Sequence, residues 1–351
     1  MIPAYYLIKW PYRLGCRVAD RFRGRPALAV YCAGPLDRVV LLPVMRHLPP
    51  ALWVSGNGRT ARHLRSEGLA AVRYPVFPRV VIMARHAQYR FPDTGVFKVG
   101  FRHGAYHFKQ FAGTAYYNAF DLYFMTSRAD VEAGRKRGIR SARSAGFPKL
   151  DPAFDGTWNR ETLMPYAGRA GLLPGRPTVL MTATWDRSGM SAVGRWLPVL
   201  PRLAAAMNVM VTVHPFTSRS CLKSLSGTPG VFLIREADTL PYLMLSDVVV
   251  GDTSSILAEA CALNKPMVTF RVPQARRSLS EITGLLDRIS IRIDDPGDLR
   301  SSVYEAAENP ERLEVRRMEA NALMFDTLDG RAGERAARMI LNAVPELKRG
   351  R

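Results

Sequence analysis

NVMVTVHPFTSRS at 208–220 and PGVFLIREADTLPYLMLSDVVVGDTSSILAEACALNKPMVTFR at 229–271 decide the fold of this chain. They hold four apolar runs, at 209–213, 231–234, 248–250 and 267–270, separated by polar or helix-like sequence. Short apolar runs that alternate with helical patterns are typical of buried parallel strands. The stretch therefore predicts an α/β sheet.

Two polar clusters follow these predicted strands. His214 comes directly after the first run, and Asp252, Thr253, Ser254 and Ser255 come after the third. Ligands of open α/β sheets sit outside the carboxyl ends of the strands, so both clusters point to one crevice. Hydroxyls and backbone N–H groups that open a helix can bind phosphate, and an ordinary helix cap without a ligand is the alternative.

His214 and three further side chains in this half are candidates for the same crevice. His214 could donate to a phosphate oxygen or protonate a leaving group, or it could be only structural. Thr184 and Arg187 follow an earlier predicted strand, where Arg187 could bind a phosphate. Glu259 lies four residues after Ser255 and would either hold ribose or sugar hydroxyls or face solvent.

A second candidate centre lies in the first half of the chain, in FRHGAYHFK at 101–109. Gly104 allows a tight turn after a predicted strand, and His107 and Lys109 make the surroundings cationic together with Arg102. Nearby positive charge lowers the pKa of an imidazole, so His103 is the candidate general base. Simple anion binding without proton transfer is the alternative.

The length and the strand-helix rhythm predict two domains. At 351 residues the chain is long enough for two, and 47% hydrophobic with 23% charged residues is the composition of a globular protein. The rhythm predicts two doubly wound α/β domains that face each other across a cleft. We expect a basic amphipathic segment at 1–25, a first α/β domain at 26–155, a second α/β domain at 156–325, and a C-terminal helix with a basic tail at 326–351.

The positive charge is concentrated in the first half. Residues 1–150 hold 25 Lys and Arg against 7 Asp and Glu, whereas residues 151–351 hold 25 against 23. This asymmetry favours binding to a polyanion, an anionic membrane or a phosphate-rich acceptor. The alternative, a generally arginine-rich composition, would spread the charge evenly along the chain. In the first 25 residues, Leu14, Val18 and Phe22 keep helical spacing between basic residues. That pattern suits a bilayer headgroup layer, or a helix that packs on the body of the protein.

Other classes of protein are disfavoured. The four cysteines are far apart and have no metal-ligand spacing, so structural zinc is not expected. We predict no metal site and no cofactor, and a divalent metal that assists the reaction stays open although no carboxylate cage is visible. No apolar run is long enough to span a membrane, and the N-terminus lacks a secretory signal pattern. The expected location is therefore cytoplasmic, peripheral at the inner face of the cell membrane.

Taken together, the motifs resemble the CDP-glycerol glycerophosphotransferase family of teichoic-acid primases and polymerases over about residues 95–345. The matching features occur in the family's order: His103-Gly104 with Lys109, FDLYFMTS, GFPKLD at 146–151, ATWDRS, VHP, GDTSS with NKPMV, and DGRAGERAARMI. The chain departs from the family pattern at Ala105 after His103-Gly104, and at Ala258-Glu259.

The resemblance implies a glycosyltransferase-B-like fold, in which 26–155 would be the acceptor-side domain and 156–325 the nucleotide-donor-binding domain. It also implies a function. His103 would be the general base for an acceptor hydroxyl, while His214, Ser254 and Ser255 would hold the donor pyrophosphate. The reaction would move glycerol phosphate, or a related polyol phosphate, from a CDP-linked donor to a cell-envelope glycan or lipid-linked acceptor, and would release CMP. In that family the basic N-terminal region attaches to the membrane.

Two other hypotheses stay open from sequence. A nucleotide-sugar glycosyltransferase of the same fold would release a nucleoside diphosphate and depend more on Glu259, and an enzyme like the UDP-N-acetylglucosamine 2-epimerases is a variant of this hypothesis. A nucleic-acid-binding protein is the third, but the basic half carries no RNA-binding signature, so no nucleic-acid partner is expected.

Overall fold

A computed structural model describes residues 3–22, 24–104, 111–273 and 281–350 and shows two parallel sheets. The first contains β1 (Leu28–Tyr31), β2 (Leu52–Ser55), β3 (Ala71–Arg73), β4 (Val80–Met83), β5 (Phe97–Phe101), β6 (Leu122–Met125) and β7 (Ala142–Ser144). The second contains β8 (Thr178–Ala183), β9 (Asn208–Val213), β10 (Val231–Leu233), β11 (Val248–Gly251), β12 (Met267–Phe270) and β13 (Ile291–Ile293). The prediction of two doubly wound α/β domains is confirmed.

Each sheet reverses its strand order once. The first has the order β3-β2-β1-β4-β5-β6-β7, and the second has β10-β9-β8-β11-β12-β13. All the pairings within these sheets are parallel. The order therefore reverses between β1 and β4 and between β8 and β11, and such a reversal opens a crevice for ligands at the carboxyl ends of the strands.

Helices connect the strands. The helices that precede β8 in the chain are α1 (Pro3–Phe22), α2 (Pro35–Met45), α3 (Gly58–Ser66), α4 (Thr114–Asn118), α5 (Arg128–Lys136) and α6 (Arg160–Ala170). In the second half they are α7 (Val193–Trp196), α8 (Leu200–Ala206), α9 (Arg219–Ser226), α10 (Leu240–Leu245), α11 (Ile256–Ala262), α12 (Glu281–Ile289), α13 (Leu299–Glu308), α14 (Glu314–Phe325) and α15 (Ala332–Ala343).

One helix prediction is wrong in an informative way. The sequence pattern predicts a single helix over 190–207, but the structure has α7, a 3-10 turn at Leu197–Val199, and α8. Pro198 and Pro201 lie where a continuous helix would need backbone N–H donors, so the chain restarts at each of them. The sequence pattern also predicts a helix over 108–119. Residues 105–110 lie outside the described residues, and α4 begins only at Thr114.

The chain forms two compact units. Of the described residues, the first holds those up to His103, Phe111–Pro152 and those from Thr327 onward, and the second holds Gly104 and Ala153–Asp326. Within the first unit α15 packs against α2, and the Asp151 carboxylate accepts hydrogen bonds from the N–H groups of Ala332 and Gly333 at 3.0 and 2.6 Å. The GFPKLD and DGRAGERAARMI motifs therefore meet, and they hold the last helix on the first sheet.

The N-terminal helix α1 packs on the first unit by one face. Tyr12 and Cys16 are buried, and the Tyr12 hydroxyl donates to the Val76 carbonyl at 2.7 Å. A Cβ at Gly15 would overlap the Phe77 ring, so glycine permits this close approach. None of the described helices is both long and apolar enough to cross a membrane.

Candidate functional site

The carboxyl ends of β8 and β11 bring most of the predicted residues of the second unit together. The hydroxyl of Thr182, near the end of β8, donates to Ser254 Oγ at 3.1 Å. Gly251 ends β11, where a Cβ would meet Leu257 and Thr182 at 3.0 Å. The absence of a side chain at Gly251 therefore lets α11 begin directly above β8. This is the point at which the strand order reverses, where a ligand crevice is expected.

Asp252 points inward and ties two loops together. Its side chain is fully buried, and its carboxylate accepts hydrogen bonds from the N–H groups of Thr184, Ala192, Thr253 and Ser254 at 2.5 to 3.2 Å. Burial raises the pKa of Asp252, and the backbone donors offset part of that rise because they stabilise the charged form. Asp252 thus positions the loops after β8 and β11.

The three hydroxyls that follow Asp252 have different environments. Thr253 is 8% exposed, and its Oγ1 atom has no hydrogen-bond partner among the described residues. Ser254 accepts the bond from Thr182, and Ser255 makes no side-chain cap bond to α11. A buried hydroxyl without a partner is costly in a folded protein, and a ligand oxygen would satisfy it.

His214 follows β9, and its neutral tautomer is determined by the backbone. The N–H of Phe216 donates to His214 Nδ1 at 3.2 Å. Because Nδ1 accepts, the proton of the neutral ring is on Nε2. A donor at Nε2 is the form that hydrogen bonds to a phosphate oxygen. The ring of His214 also packs against Trp185, with ring centroids 4.9 Å apart.

Thr184 and Arg187 occupy different positions on the loop after β8. Thr184 is 8% exposed, and its hydroxyl lies 3.2 Å from both Asp252 Oδ2 and the Met190 carbonyl oxygen. It therefore supports the loop from inside. Arg187 is exposed on the same loop. Between them, Asp186 accepts a hydrogen bond from the Ser218 N–H at 2.9 Å, which joins the loop to the start of α9.

Glu259 lies inside α11 and is only 1% exposed. The alternative that this side chain faces solvent is therefore wrong. A buried carboxylate needs hydrogen-bonding partners, and this one lies one helical turn after Ser255. Its role in holding ribose or sugar hydroxyls stays a prediction.

His103 stands in the first unit, two residues after the end of β5, and it is exposed. Its Nδ1 lies 3.2 Å from the Ala84 carbonyl oxygen. A carbonyl only accepts, so Nδ1 carries the proton and Nε2 is the unprotonated nitrogen, which is the form that a general base needs. Gly104 follows directly, whereas His107 and Lys109 lie outside the described residues.

The loop after β4 carries residues that the sequence reasoning missed. Arg85 Nε donates to the buried Asp37 carboxylate at 2.7 Å. His86 stacks on Tyr123, with ring centroids 5.3 Å apart. Burial, together with the nearby charge of Arg102, lowers the pKa of His86 to about 4, so this ring is neutral at physiological pH. The signal available in the sequence was the basic MARHAQYR segment after a predicted strand.

Within the described part of the chain, no three His, Cys, Asp or Glu side chains come together as a possible metal-ligand set. The carboxylates near the site have other contacts, since Asp252 and Asp186 both accept backbone hydrogen bonds. The other polar groups at this strand edge are the hydroxyls of Thr253, Ser254 and Ser255 and the imidazole of His214.

One known protein family is similar in sequence to the second half of this chain. The sequence model of the family described as UDP-N-acetylglucosamine 2-epimerase matches residues 172–341, which is just under half of the chain. No protein of curated function matches in sequence.

Three solved structures share the fold at low identity. The wall teichoic acid polymerase TagF has 13% identity and a TM-score of 0.68, covering 97% of this chain and 98% of TagF; a TagF variant soaked with CDPG also matches. The S. aureus MnaA-UDP co-structure has 14% identity and a TM-score of 0.63, covering 91% and 96%. A putative UDP-N-acetylglucosamine 2-epimerase from Listeria monocytogenes has 11% identity and a TM-score of 0.64, covering 91% and 97%.

These similarities agree with the two sheets described above. The chain has a glycosyltransferase-B-like fold of two Rossmann-like units, which it shares with a polymerase of wall teichoic acid and with a putative UDP-N-acetylglucosamine 2-epimerase.

Proposed function

We propose that the second unit binds the diphosphate of a nucleotide-linked donor at the carboxyl ends of β8, β9 and β11. The observation that carries this proposal is the buried Thr253 hydroxyl without a partner among the described residues, beside Ser254 and Ser255. His214 adds an Nε2 donor on the neighbouring strand end. Hydrogen bonds from several neutral donors to a charged phosphate are stronger than bonds between neutral groups.

We further propose a transfer of glycerol phosphate, or a related polyol phosphate, from a CDP-linked donor to a cell-envelope glycan or lipid-linked acceptor. The acceptor hydroxyl gives its proton to His103 Nε2 while its oxygen attacks the β-phosphorus. The bond from that phosphorus to the bridging oxygen breaks, and CMP leaves with the electron pair. The protein mainly positions the groups and neutralises charge, as is usual in phosphoryl transfer.

The tautomers of the two histidines support this assignment. His103 has its unprotonated nitrogen at Nε2, whereas the neutral form of His214 has its proton there. One ring is therefore set to accept a proton and the other to donate a hydrogen bond. The choice of cytidine rests on the resemblance to glycerophosphotransferases and on the structure of TagF soaked with CDPG.

A nucleotide-sugar glycosyltransferase is the second candidate. Two observations favour it: the epimerase family model matches residues 172–341, and Glu259 is buried in α11, where a carboxylate could hold ribose or sugar hydroxyls. This candidate predicts a nucleoside diphosphate as the product in place of CMP.

A two-part experiment separates these proposals. Calorimetry compares CDP-glycerol, CMP and UDP-N-acetylglucosamine on the wild type and on Thr253→Val. Because the lost hydroxyl has no described partner, we expect unchanged stability but about tenfold weaker binding, within the range for hydrogen bonds to charged groups. Thr178→Val is the matched control: its hydroxyl accepts from Asn208 at the opposite end of β8, so it should lose stability and keep its affinity. Equal affinity of Thr253→Val and wild type would refute the phosphate site.

The second part tests catalysis by chromatography of the products. His103→Asn should abolish CMP release from CDP-glycerol and keep donor binding, whereas His47→Asn, exposed just after α2, should behave as wild type. Release of UDP from the uridine donor, with no CMP release, would establish the second candidate.

We also propose that the enzyme works at the inner face of the cell membrane through α1. Opposite the docked face, Trp10, Leu14, Val18 and Phe22 recur every four residues, and each is between 48% and 74% exposed. Basic side chains flank this ridge. Such a helix can lie in the headgroup layer, where each Lys or Arg contributes about 1 kcal/mol on an anionic surface.

Vesicle sedimentation tests the membrane proposal. The wild type should bind vesicles that contain an anionic phospholipid and bind neutral vesicles more weakly. Trp10→Ala with Phe22→Ala should reduce binding to both, and Met318→Ser, which removes an exposed apolar side chain of α14, should not. Binding that is insensitive to the double substitution would refute the role of α1.

A further inference from the structure

Three aromatic rings pack together at the carboxyl edge of the second sheet and form what we call the aromatic cluster. Trp185 follows β8, and His214 and Phe216 follow β9. The ring centroids are 4.9 Å apart for Trp185 and His214, 5.0 Å for His214 and Phe216, and 6.2 Å for Trp185 and Phe216. Yet Phe216 is 74% exposed. Most of its ring therefore contributes nothing to the core and offers an open aromatic surface.

The strand order places this cluster beside the proposed phosphate site. β8 lies between β9 and β11, so the end of β9 and the end of β11 are two strand spacings apart, about 10 Å. Hydrogen bonds connect the end of β8 to both neighbours. On the β9 side, Asp186 accepts from the Ser218 N–H, and on the β11 side, Thr182 donates to Ser254. His214 belongs to both regions.

We infer that the aromatic cluster is the subsite for the nucleobase of the donor, which stacks on the exposed face of Phe216 next to Trp185. This inference rests on the proposed function, because it needs the phosphates of the same ligand to bind beside Thr253 and His214. A nucleotide carries its flat ring at one end and its charge at the other. The edge of this sheet has the same arrangement, with rings after β9 and hydroxyls after β11.

Stacking has a consequence for specificity. Every base has a π-face, so stacking on an aromatic side chain tolerates exchange of one base for another. The cluster should therefore bind cytosine and uracil about equally, and a preference between them must come from hydrogen bonds to other groups. The subsite explains affinity for a pyrimidine nucleotide, and it makes no distinction between the two donor classes considered above.

The test measures binding of CMP, UMP and the base-free ribose 5-phosphate by calorimetry. For Phe216→Ala we expect about tenfold weaker binding of both nucleotides, the usual effect of removing one stacking ring, and unchanged binding of ribose 5-phosphate. Phe216→Trp should restore nucleotide binding. Phe154→Ala, which removes another exposed phenylalanine of the same unit, is the control and should bind all three ligands as wild type does.

Tryptophan fluorescence gives an independent readout. A base stacked beside Trp185 should quench its emission, so Trp185→Phe should lose the nucleotide-induced quenching while calorimetry still detects binding. The inference is overturned if Phe216→Ala binds CMP and UMP like the wild type, or if it loses ribose 5-phosphate to the same extent. If the wild type binds ribose 5-phosphate but neither nucleotide more tightly, the base subsite alone fails. If it binds none of the three, the proposed function fails with it.

Discussion

Replacement of Asp252 by asparagine should loosen the two loops that form the phosphate site. The carboxylate accepts from four backbone N–H groups and from the Thr184 hydroxyl. An amide keeps one acceptor oxygen, which can serve Thr253 and Ser254. Its NH2 group then faces the N–H of Ala192, and because both groups are donors, no hydrogen bond can form between them. The buried N–H of Ala192 therefore loses its acceptor, which was charged, and this loss costs about 1.5–3 kcal/mol.

Urea denaturation followed by circular dichroism measures this loss, and calorimetry with CMP measures its effect on the site. We expect Asp252→Asn to unfold at lower urea concentration and to bind CMP at least tenfold more weakly. Asp295→Asn is the matched control because Asp295 is exposed and accepts a single backbone bond from Gly297, which asparagine can also accept; its stability should change by less than about 0.5 kcal/mol. If Asp252→Asn unfolds and binds like the control, the carboxylate does not hold the loops.

Three other predictions concern the first unit. Asp151→Ala should lower the free energy of unfolding by about 2–4 kcal/mol in urea denaturation, because two backbone N–H groups at the start of α15 lose their acceptor; an unchanged midpoint would contradict this. The pKa of His86 is about 4 in the folded chain and 6.5 ordinarily, so the unfolded state binds more protons between these values. Stability should therefore be constant above about pH 6.5 and fall by up to about 3 kcal/mol toward pH 4, and His86→Gln should flatten that slope. Gly15→Ala should release α1 from the Phe77 ring despite its better helix propensity, which hydrogen exchange of the α1 amides would detect as lost protection.

The strand-helix alternation could be predicted because it is a local property. Strands that are buried on both faces, such as β8 and β11, have continuous apolar runs, and no tertiary information is needed to see them. The single helix predicted over 190–207 failed for a reason that is also local: Pro198 and Pro201 interrupt the hydrogen bonding that the apolar pattern suggests.

The residue types at the candidate site, and their positions at strand ends, could be predicted from the sequence, whereas their contacts could not. The sequence places His214 and the Thr-Ser-Ser run at strand ends, and parallel strands share one carboxyl edge. It does not show that the Asp252 side chain turns inward, that the Thr253 hydroxyl is buried, or that Phe216 stands exposed beside Trp185. Each of these depends on which loops meet, and loops that are 60 or more residues apart in sequence meet only after the sheet has formed, as Ala192 and Asp252 do.

The sequence by itself thus determined that the chain is a two-sheet α/β protein with polar groups at the carboxyl ends of its strands. Buried strands and amphipathic helices produce patterns among neighbouring residues, so they can be recognised locally. Only the tertiary structure decided that β8 lies between β9 and β11, that Asp151 holds a helix 181 residues later in the chain, and which ring nitrogen of neutral His103 and His214 carries the proton. These features depend on strand order and on hydrogen bonds between distant segments, and no local pattern of residue types specifies either.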